Sequence, residues 1–208
     1  MEEPFQNQEV ITEEEYIAYA KLCKRGLRIV NAHIKNFCDT DDNYGNDIIT
    51  YRIKSYKSAM EKCERKNYPP TLDGIKKQMQ DVAGLRAIMT SIDDIYRVRN
   101  NIYAQPGLEV IEEHDYIKNP KENGYSSLHL IVIIQVYYDN MTKSVPVEIQ
   151  LRTYSMQGWA AAEHKLIYKS SNPSDEAKAK LKHSAAHSRD FDNEVVEMFE
   201  EQKNSSEN

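Results

Sequence analysis

Apolar positions change period several times along the chain, and each change marks an element. From residue 12 to about 37, Ile17, Ala20, Leu27, Val30 and Ile34 recur at helical spacing. Thr12, followed three residues later by Glu15, predicts a capped helix start. Residues 38–47 are acidic and rich in Asn and Gly, the composition of a loop. A second helix is predicted over 55–66. It stops at Asn67, because Pro69 and Pro70 supply no donor and clash with a continuing helix. Residues 82–89 read as a buried strand, 92–103 as a helix, and 108–111 as the start of a strand after the turn at Gln105, Pro106 and Gly107. Residues 119–127 have the composition of an ordered loop. Residues 128–138 form a long strand, Asp139 and Asn140 begin a turn, and 144–152 return antiparallel. Helices are predicted over 155–169 and 174–202. The chain therefore reads as α+β: a mixed sheet flanked by helices, with N- and C-terminal helical extensions.

Composition narrows the class. The chain has 208 residues, of which 40% are hydrophobic and 29% charged, enough for a packed core and against global disorder. A net charge of -6 argues against a general nucleic-acid coat but leaves room for a local basic pocket. The longest apolar run, 128–136, is too short to span a bilayer, so no membrane role is expected. Cys23, Cys38 and Cys63 have no CxxC spacing, and the first ten residues carry no apolar signal stretch. Reduced thiols and a cytoplasmic location are expected.

Three constellations carry candidate chemistry. In the first, Lys54, Ser58 and Lys62 are four apart, so a helix over this segment would present ammonium, hydroxyl and ammonium in a row. Between residues 52 and 77, basic residues outnumber acidic ones eight to three, in an otherwise acidic chain. Such a row suits a triphosphate; a solvated helix face remains the alternative. The second is the carboxylate pair Asp81 and Glu148. Strand periodicity puts Glu148, Gln150 and Arg152 on one face, with Val147, Ile149 and Leu151 on the other. Charge inside an apolar element is costly unless paired or bound to metal, and two carboxylates with phosphate oxygens make a Mg²⁺ shell. A Glu148–Arg152 ion pair on a wet sheet face is the alternative. The third runs from Asp115 to His129. Tyr125 offers a stacking face, Asn123 a donor and an acceptor, Lys121 charge, His129 a hydrogen bond, and Gly124 an unusual backbone shape.

In order and spacing these strings resemble the RelA/SpoT synthetase family. They are Arg52-x-Lys54-xxx-Ser58-xxx-Lys62, Asp81-Val-Ala-Gly-Leu-Arg86, the Asp115–His129 string, and Glu148-Ile-Gln-Leu-Arg-Thr153. The segment from Trp159 to His164 and then Tyr168-Lys169 is similar to the family's next segment. The match covers about 51–169, and the short terminal helices without further domains look like the small alarmone synthetases. The resemblance implies residues 1–50 as an N-terminal helix and acidic loop, 51–170 as the catalytic domain, and 171–208 as a C-terminal helix and polar tail. It implies a nucleotidyltransferase-like fold and transfer of pyrophosphate from ATP to the ribose 3′-hydroxyl of GDP or GTP, with AMP leaving. Arg52 and Arg86 would sandwich adenine, and Lys54, Ser58 and Lys62 would hold the ATP phosphates. Asp81 and Glu148 would bind Mg²⁺, Glu148 would also serve as base, and Gln150 would support that edge. Tyr125 would stack on guanine, with Lys121, Asn123 and His129 fixing the acceptor. A homotetramer with terminal helices at its interfaces is implied, and regulation by single-stranded RNA stays open. Many small synthetases carry a basic residue where this chain has Ser126, which puts the grip on the acceptor's terminal phosphate in doubt. His114 receives no role.

The rival readings are another nucleotidyltransferase, which would release inorganic pyrophosphate, and a non-catalytic nucleotide- or RNA-binding module, which Asp81 and Glu148 would hinder. Alarmone hydrolysis ranks low, since His114-Asp115 belongs to the third string. His183 and His187 have ligand spacing, but no Glu or Cys completes a zinc set near them. Trp159 and Met156 read as packing residues, and Phe191, Val195, Met198 and Phe199 as one apolar side of the last helix.

Overall fold

The computed structural model describes residues 9–39, 48–168 and 173–206. Of the acidic loop predicted over 38–47, residues 38 and 39 belong to helix α1 instead and 40–47 lie outside the described residues, as do Lys169 and the last two residues of the polar tail. The elements run in the order α1 (Glu13–Asp39), β1 (Ile48–Ile53), α2 (Tyr56–Lys66), α3 (Leu72–Gln78), β2 (Ala83–Met89), α4 (Ile92–Ala104), β3 (Leu108–Asp115), β4 (Leu128–Tyr138), β5 (Met141–Thr153), α5 (Tyr154–Glu163), a π-helical turn (His164–Tyr168) and α6 (Asp175–Ser206). The strands form one mixed sheet in the order β1-β2-β5-β4-β3. Strands β2 and β5 are parallel, and the other neighbours are antiparallel. The expected mixed sheet flanked by helices is what forms.

Local chemistry sets most of the boundaries. The Thr12 backbone N–H donates to the Glu15 carboxylate at 2.9 Å, and Thr12 Oγ1 accepts from the Glu15 N–H, so the predicted capping box closes. Ser55 caps α2, and Asn67 ends it in the left-handed region, φ 54°. Asp139 and Asn140 both have positive φ, 53° and 56°, the pair that a two-residue hairpin turn requires. Two elements were not read from the sequence. Strand β1 is an edge strand whose burial does not alternate cleanly. Helix α3 starts directly after the two prolines, where Thr71 accepts from the Gly74 N–H at 3.0 Å.

The core lies on one face of the sheet, beneath α1 and α4. Val145, Val147, Ile149 and Leu151 of β5 are buried there, with Leu128, Leu130 and Val132 of β4 and Val30 and Ile34 of α1. Helix α1 approaches closely because Gly26 has no side chain. A Cβ there would stand 2.5 Å from Val145 Cγ2 and 2.8 Å from Ile134 Cγ2. The C-terminal helix is pinned at the end of β5. Asp192, 2% exposed, accepts from Thr153 Oγ1 at 2.9 Å and from Ser155 Oγ at 2.6 Å. Burial pushes its pKa up despite those two hydroxyls. Trp159 Nε1 donates to the Leu181 carbonyl at 2.9 Å. Trp159 thus packs α5 against α6, whereas the sequence reading expects it to pack a helix onto the sheet with Met156; of the two, only Met156 joins the core cluster there.

Gly26→Ala should destabilise the protein. An alanine in mid-helix gains roughly 1 kcal/mol in propensity, but the overlap with Val145 and Ile134 should cost about 1–3 kcal/mol. Urea unfolding should show a lower midpoint with an unchanged slope; a raised midpoint would mean that α1 and the sheet part freely.

Candidate active site

Strand β5 is hydrogen-bonded on both edges, so its alternation fixes where its polar residues point. Glu148, Gln150 and Arg152 project away from the core. The Gln150 side chain links two groups: its Nε2 donates to Glu148 Oε2 at 3.0 Å, and its Oε1 accepts from Arg86 Nη2 at 3.1 Å and Nε at 3.3 Å. The Glu148–Arg152 ion pair does not form. Arg152 donates instead to Gln157 Oε1 at 2.9 Å and to the Tyr125 hydroxyl.

Arg52, Arg86, Glu148 and Gln150 line one cavity of about 140 Å³. Gly84, also on its wall, pairs with Arg52 on one side and Glu148 on the other. A Cβ at Gly84 would lie 3.6 Å from Glu148 Oε2, inside the space between them. The sequence reading missed Gly84, although a glycine inside a buried strand signals close approach. A larger hollow of about 680 Å³, between α1, α3 and the start of β5, holds none of the predicted site residues.

The cationic row needs correction. Lys54 is not helical; it comes just after β1, where its N–H donates to the Val82 carbonyl at 2.9 Å and its carbonyl accepts from the Tyr16 hydroxyl at 2.8 Å. Only Ser58 and Lys62 share the α2 face. The two lysines still converge, because both grip Asp81: Lys54 Nζ lies 3.1 Å from Oδ2 and Lys62 Nζ 2.8 Å from Oδ1. Burial pushes the Asp81 pKa up, but Lys62 and Lys54 outweigh it and hold the carboxyl below its ordinary value. Oδ1 is buried against the Lys62 ammonium, which is its ion-pair partner. Ser58 Oγ meets Ser55 Oγ at 3.0 Å, in the first turn of α2.

The loop over 116–127 is built from its ends. Asp115 Oδ1 accepts from the N–H groups of Ile117 and Lys118, and its Oδ2 accepts from the Tyr96 hydroxyl. Asn123 Oδ1 accepts from the Tyr125 N–H at 3.1 Å, so that oxygen shapes the turn. Gly124 has φ +97°, and a Cβ there would meet Ala185 Cβ of α6 at 2.6 Å. Tyr116, Tyr125 and His129 meet edge to face, and Lys121 Nζ stands 5.0 Å from the Tyr125 ring centre. His129 Nε2 lies 2.8 Å from the Tyr125 hydroxyl, and Nδ1 3.6 Å from Glu148 Oε1. Burial first, then Arg152 and Lys121, push the His129 pKa down to about 3, so the ring is neutral at physiological pH. Ser126 is 7% exposed, and its hydroxyl has no partner. It points inward, and its position gives no support for a contact with an acceptor phosphate. His114 stacks on Tyr116, with ring centres 5.7 Å apart, and meets Glu112 at 2.5 Å.

The carboxylates of Glu148 and Asp81 are hard oxygen donors of the kind that suits Mg²⁺. Among the described residues no cluster of three or more His, Cys, Asp or Glu forms. An ion held here would take the rest of its shell from phosphate and water, as Mg²⁺ does beside nucleotides. The residues present fit that ion in chemistry, although Asp81 does not line the Arg52–Glu148 cavity.

Residues 51–173 match the family described as "Region found in RelA / SpoT proteins", over more than half of the chain. The GTP pyrophosphokinase YwaC of Bacillus subtilis is 42% identical over 121 residues, 58% of this chain and 58% of its own length. The GTP pyrophosphokinase YjbM of the same species is 38% identical over 159 residues, 76% of this chain and 74% of its own. The crystal structure of small alarmone synthetase 1 from Bacillus subtilis superposes with a TM-score of 0.83 at 32% identity, covering 92% of this chain and 99% of that one. That enzyme bound to its product pppGpp gives 0.76 at 33% identity, covering 88% and 93%. Bound to AMPCPP it gives 0.77 at 30%, covering 92% and 99%.

Asp81→Asn should leave two ammonium groups facing each other without a counter-charge and lower stability by about 1–3 kcal/mol. Because the native carboxyl is held below its ordinary value of 3.8, its contribution is fully present above that value and is lost as pH falls through the depressed one. Urea unfolding of both proteins from neutral to acid pH should therefore show a gap that closes only in strong acid. A gap that is constant with pH would mean that the ion pairs do not carry the difference.

Proposed function

The chain belongs to the RelA/SpoT family, and from that membership we propose that it is a (p)ppGpp synthetase, a GTP/GDP pyrophosphokinase. It transfers the β,γ-pyrophosphoryl group of ATP to the ribose 3′-hydroxyl of GDP or GTP. The 3′-oxygen bonds to the β-phosphorus, the bond from that phosphorus to the α-phosphate oxygen breaks, and AMP leaves. The observation that carries this reading is the convergence of Arg52, Arg86, Gln150 and Glu148 on one cavity. His129 links that cavity to the aromatic loop. Nucleotide complexes of a relative of the same fold support it further.

In this reading the side chains set the roles. Arg52 and Arg86 offer guanidinium planes to adenine. Lys54 and Lys62 turn from Asp81 toward the ATP phosphates and offset charge that would repel a second nucleotide, and Ser58 donates between them. Asp81 and Glu148 hold Mg²⁺, which supplies charge stabilisation at the phosphoryl group. Glu148 takes the proton of the 3′-hydroxyl, while Gln150 holds it through Nε2 and ties it to Arg86. Tyr125 stacks on guanine once Lys121 moves to the acceptor's phosphates, and Asn123 and His129 complete the contacts. Positioning and charge neutralisation then do most of the catalytic work.

A cytoplasmic homotetramer belongs to the same proposal. No helix among the described residues is long and apolar enough to cross a membrane. Phe191, Met198 and Phe199 leave apolar surface exposed on α6 for a subunit contact.

Incubation with ATP, Mg²⁺ and GMP, GDP or GTP in turn should yield AMP and a 3′-pyrophosphorylated guanosine, read by nucleotide chromatography. Release of inorganic pyrophosphate would identify another nucleotidyltransferase, and metal-independent binding without turnover a plain nucleotide binder. Glu148→Gln should keep the far-ultraviolet circular dichroism and lose at least about 100-fold in kcat; near-normal product formation would remove Glu148 from the chemistry. Tyr125→Ala should raise KM for the acceptor well above any change for ATP, and equal losses for both would count against the stacking role.

A further inference from the structure

Among the described residues Arg152 is a buried cation with no ion-pair partner. It is 5% exposed, and its hydrogen-bond partners are all neutral: Gln157, the Tyr125 hydroxyl, Ser127 Oγ at 3.4 Å and Gln150 Oε1 at 3.5 Å. Burying a charge among neutral groups is costly, and a packed apolar or amide side chain would hold β5 to α5 at lower cost. Its guanidinium also stands 5.1 Å from the Tyr125 ring centre. Donor and acceptor rules give it a part beyond packing.

A guanidinium only donates, so the Tyr125 oxygen accepts from Arg152. The single hydroxyl hydrogen of Tyr125 then has one partner in reach, His129 Nε2 at 2.8 Å. If Nε2 carried a proton, Tyr125 would receive two donors, and its own hydrogen would face no acceptor among the hydrogen bonds formed there. Nε2 is therefore the bare nitrogen and Nδ1 carries the hydrogen, on the side where Glu148 Oε1 lies at 3.6 Å. We propose that Arg152 is a positioning residue that, through the Tyr125 hydroxyl, fixes the tautomer and ring angle of His129 so that Nδ1–H faces Glu148.

The chain Arg152, Tyr125, His129, Glu148 couples the ring assigned to the acceptor base with the carboxylate assigned to the 3′-hydroxyl. This rests on the synthetase reading for its catalytic consequence, though not for its geometry. Gln150 holds Glu148 at Oε2, and His129 Nδ1 faces Oε1 at 3.6 Å, a charge–dipole contact longer than a hydrogen bond. The carboxylate is thereby anchored on one oxygen and faced on the other before substrate arrives.

The test uses the full chain with ¹⁵N-labelled histidine, with the His129 ring signals assigned by His129→Gln. Long-range nitrogen–proton spectra at neutral pH, without nucleotide, should show His129 as the Nδ1–H tautomer. Tyr125→Phe keeps the ring and removes the relay. It should move His129 to a mixture of tautomers, drop kcat at least about tenfold and leave KM for the acceptor within about threefold. Arg152→Lys should give the same spectral change, and if that variant fails to fold, Tyr125→Phe carries the test. A wild-type His129 in the Nε2–H form, or a spectrum and kcat unaltered by Tyr125→Phe, would overturn the proposal. Because the spectrum is read without turnover, a protein that shows the tautomer but makes no pyrophosphorylated product would sink the synthetase reading and leave this one standing.

Discussion

The rest of the structure depends on the placement of β5 at the centre of the sheet. Its backbone is paired with β2 on one edge and β4 on the other, so neither edge can slip without breaking a full ladder. Val145, Val147, Ile149 and Leu151 are committed to the core beneath α1. The alternate residues then have no choice of side. Glu148, Gln150 and Arg152 are held on the opposite face at strand spacing, and each is tied sideways to a neighbouring strand or loop. Gln150 reaches Arg86 of β2, Arg152 reaches Tyr125 of the loop, and Glu148 faces His129 of β4. The apolar half of one strand thus sets the geometry of the polar half.

In this arrangement the site neutralises itself. Lys54 and Lys62 close on Asp81, and Lys121 lies over the Tyr125 ring. Cations that would otherwise repel one another have internal partners. In the proposed reaction, nucleotide phosphates would compete for the same lysines with more charge than one carboxylate offers, so binding would exchange one set of ion pairs for another. The arginines differ: Arg86 donates to Gln150, and Arg152 to Gln157 and the Tyr125 hydroxyl, all neutral groups.

The long, strongly patterned elements were legible in the sequence. Strand β4 falls on its expected bounds, and the Asp139–Asn140 turn and the alternation of β5 were read directly, because period and turn chemistry are local. Strand β1 was missed since an edge strand with mostly exposed residues has no apolar rhythm. Helix α3 was missed because two prolines were taken as the end of order, whereas Thr71 caps a new helix at once. Lys54 was placed on a helix because its spacing from Ser58 and Lys62 is helical. Its true place after β1 depends on pairing with β2, which no local pattern reports. The cavity residues Arg52, Arg86, Glu148 and Gln150 were named in advance, but Gly84 was not, and Arg152 was given Glu148 as its alternative partner in place of Tyr125 and Gln157, since these parts depend on what stands across the sheet.

The C-terminal extension belongs to the site as much as to the surface. The backbone of Gly124 packs so tightly against Ala185 of α6 that no side chain fits between them, and Trp159 stands between Tyr125 and Leu181. Asp192 locks the same helix to the cap of α5, which starts where β5 ends. Tyr125 is therefore bounded by α6 on its loop side and by Arg152 of β5 on its hydroxyl side. A shift of α6 along its axis would disturb both the close contact of Ala185 with Gly124 beside this ring and the hydrogen bonds of Asp192 to Thr153 and Ser155. The position of the last helix and the orientation of the aromatic loop form one mechanical unit, built on the strand that carries Glu148.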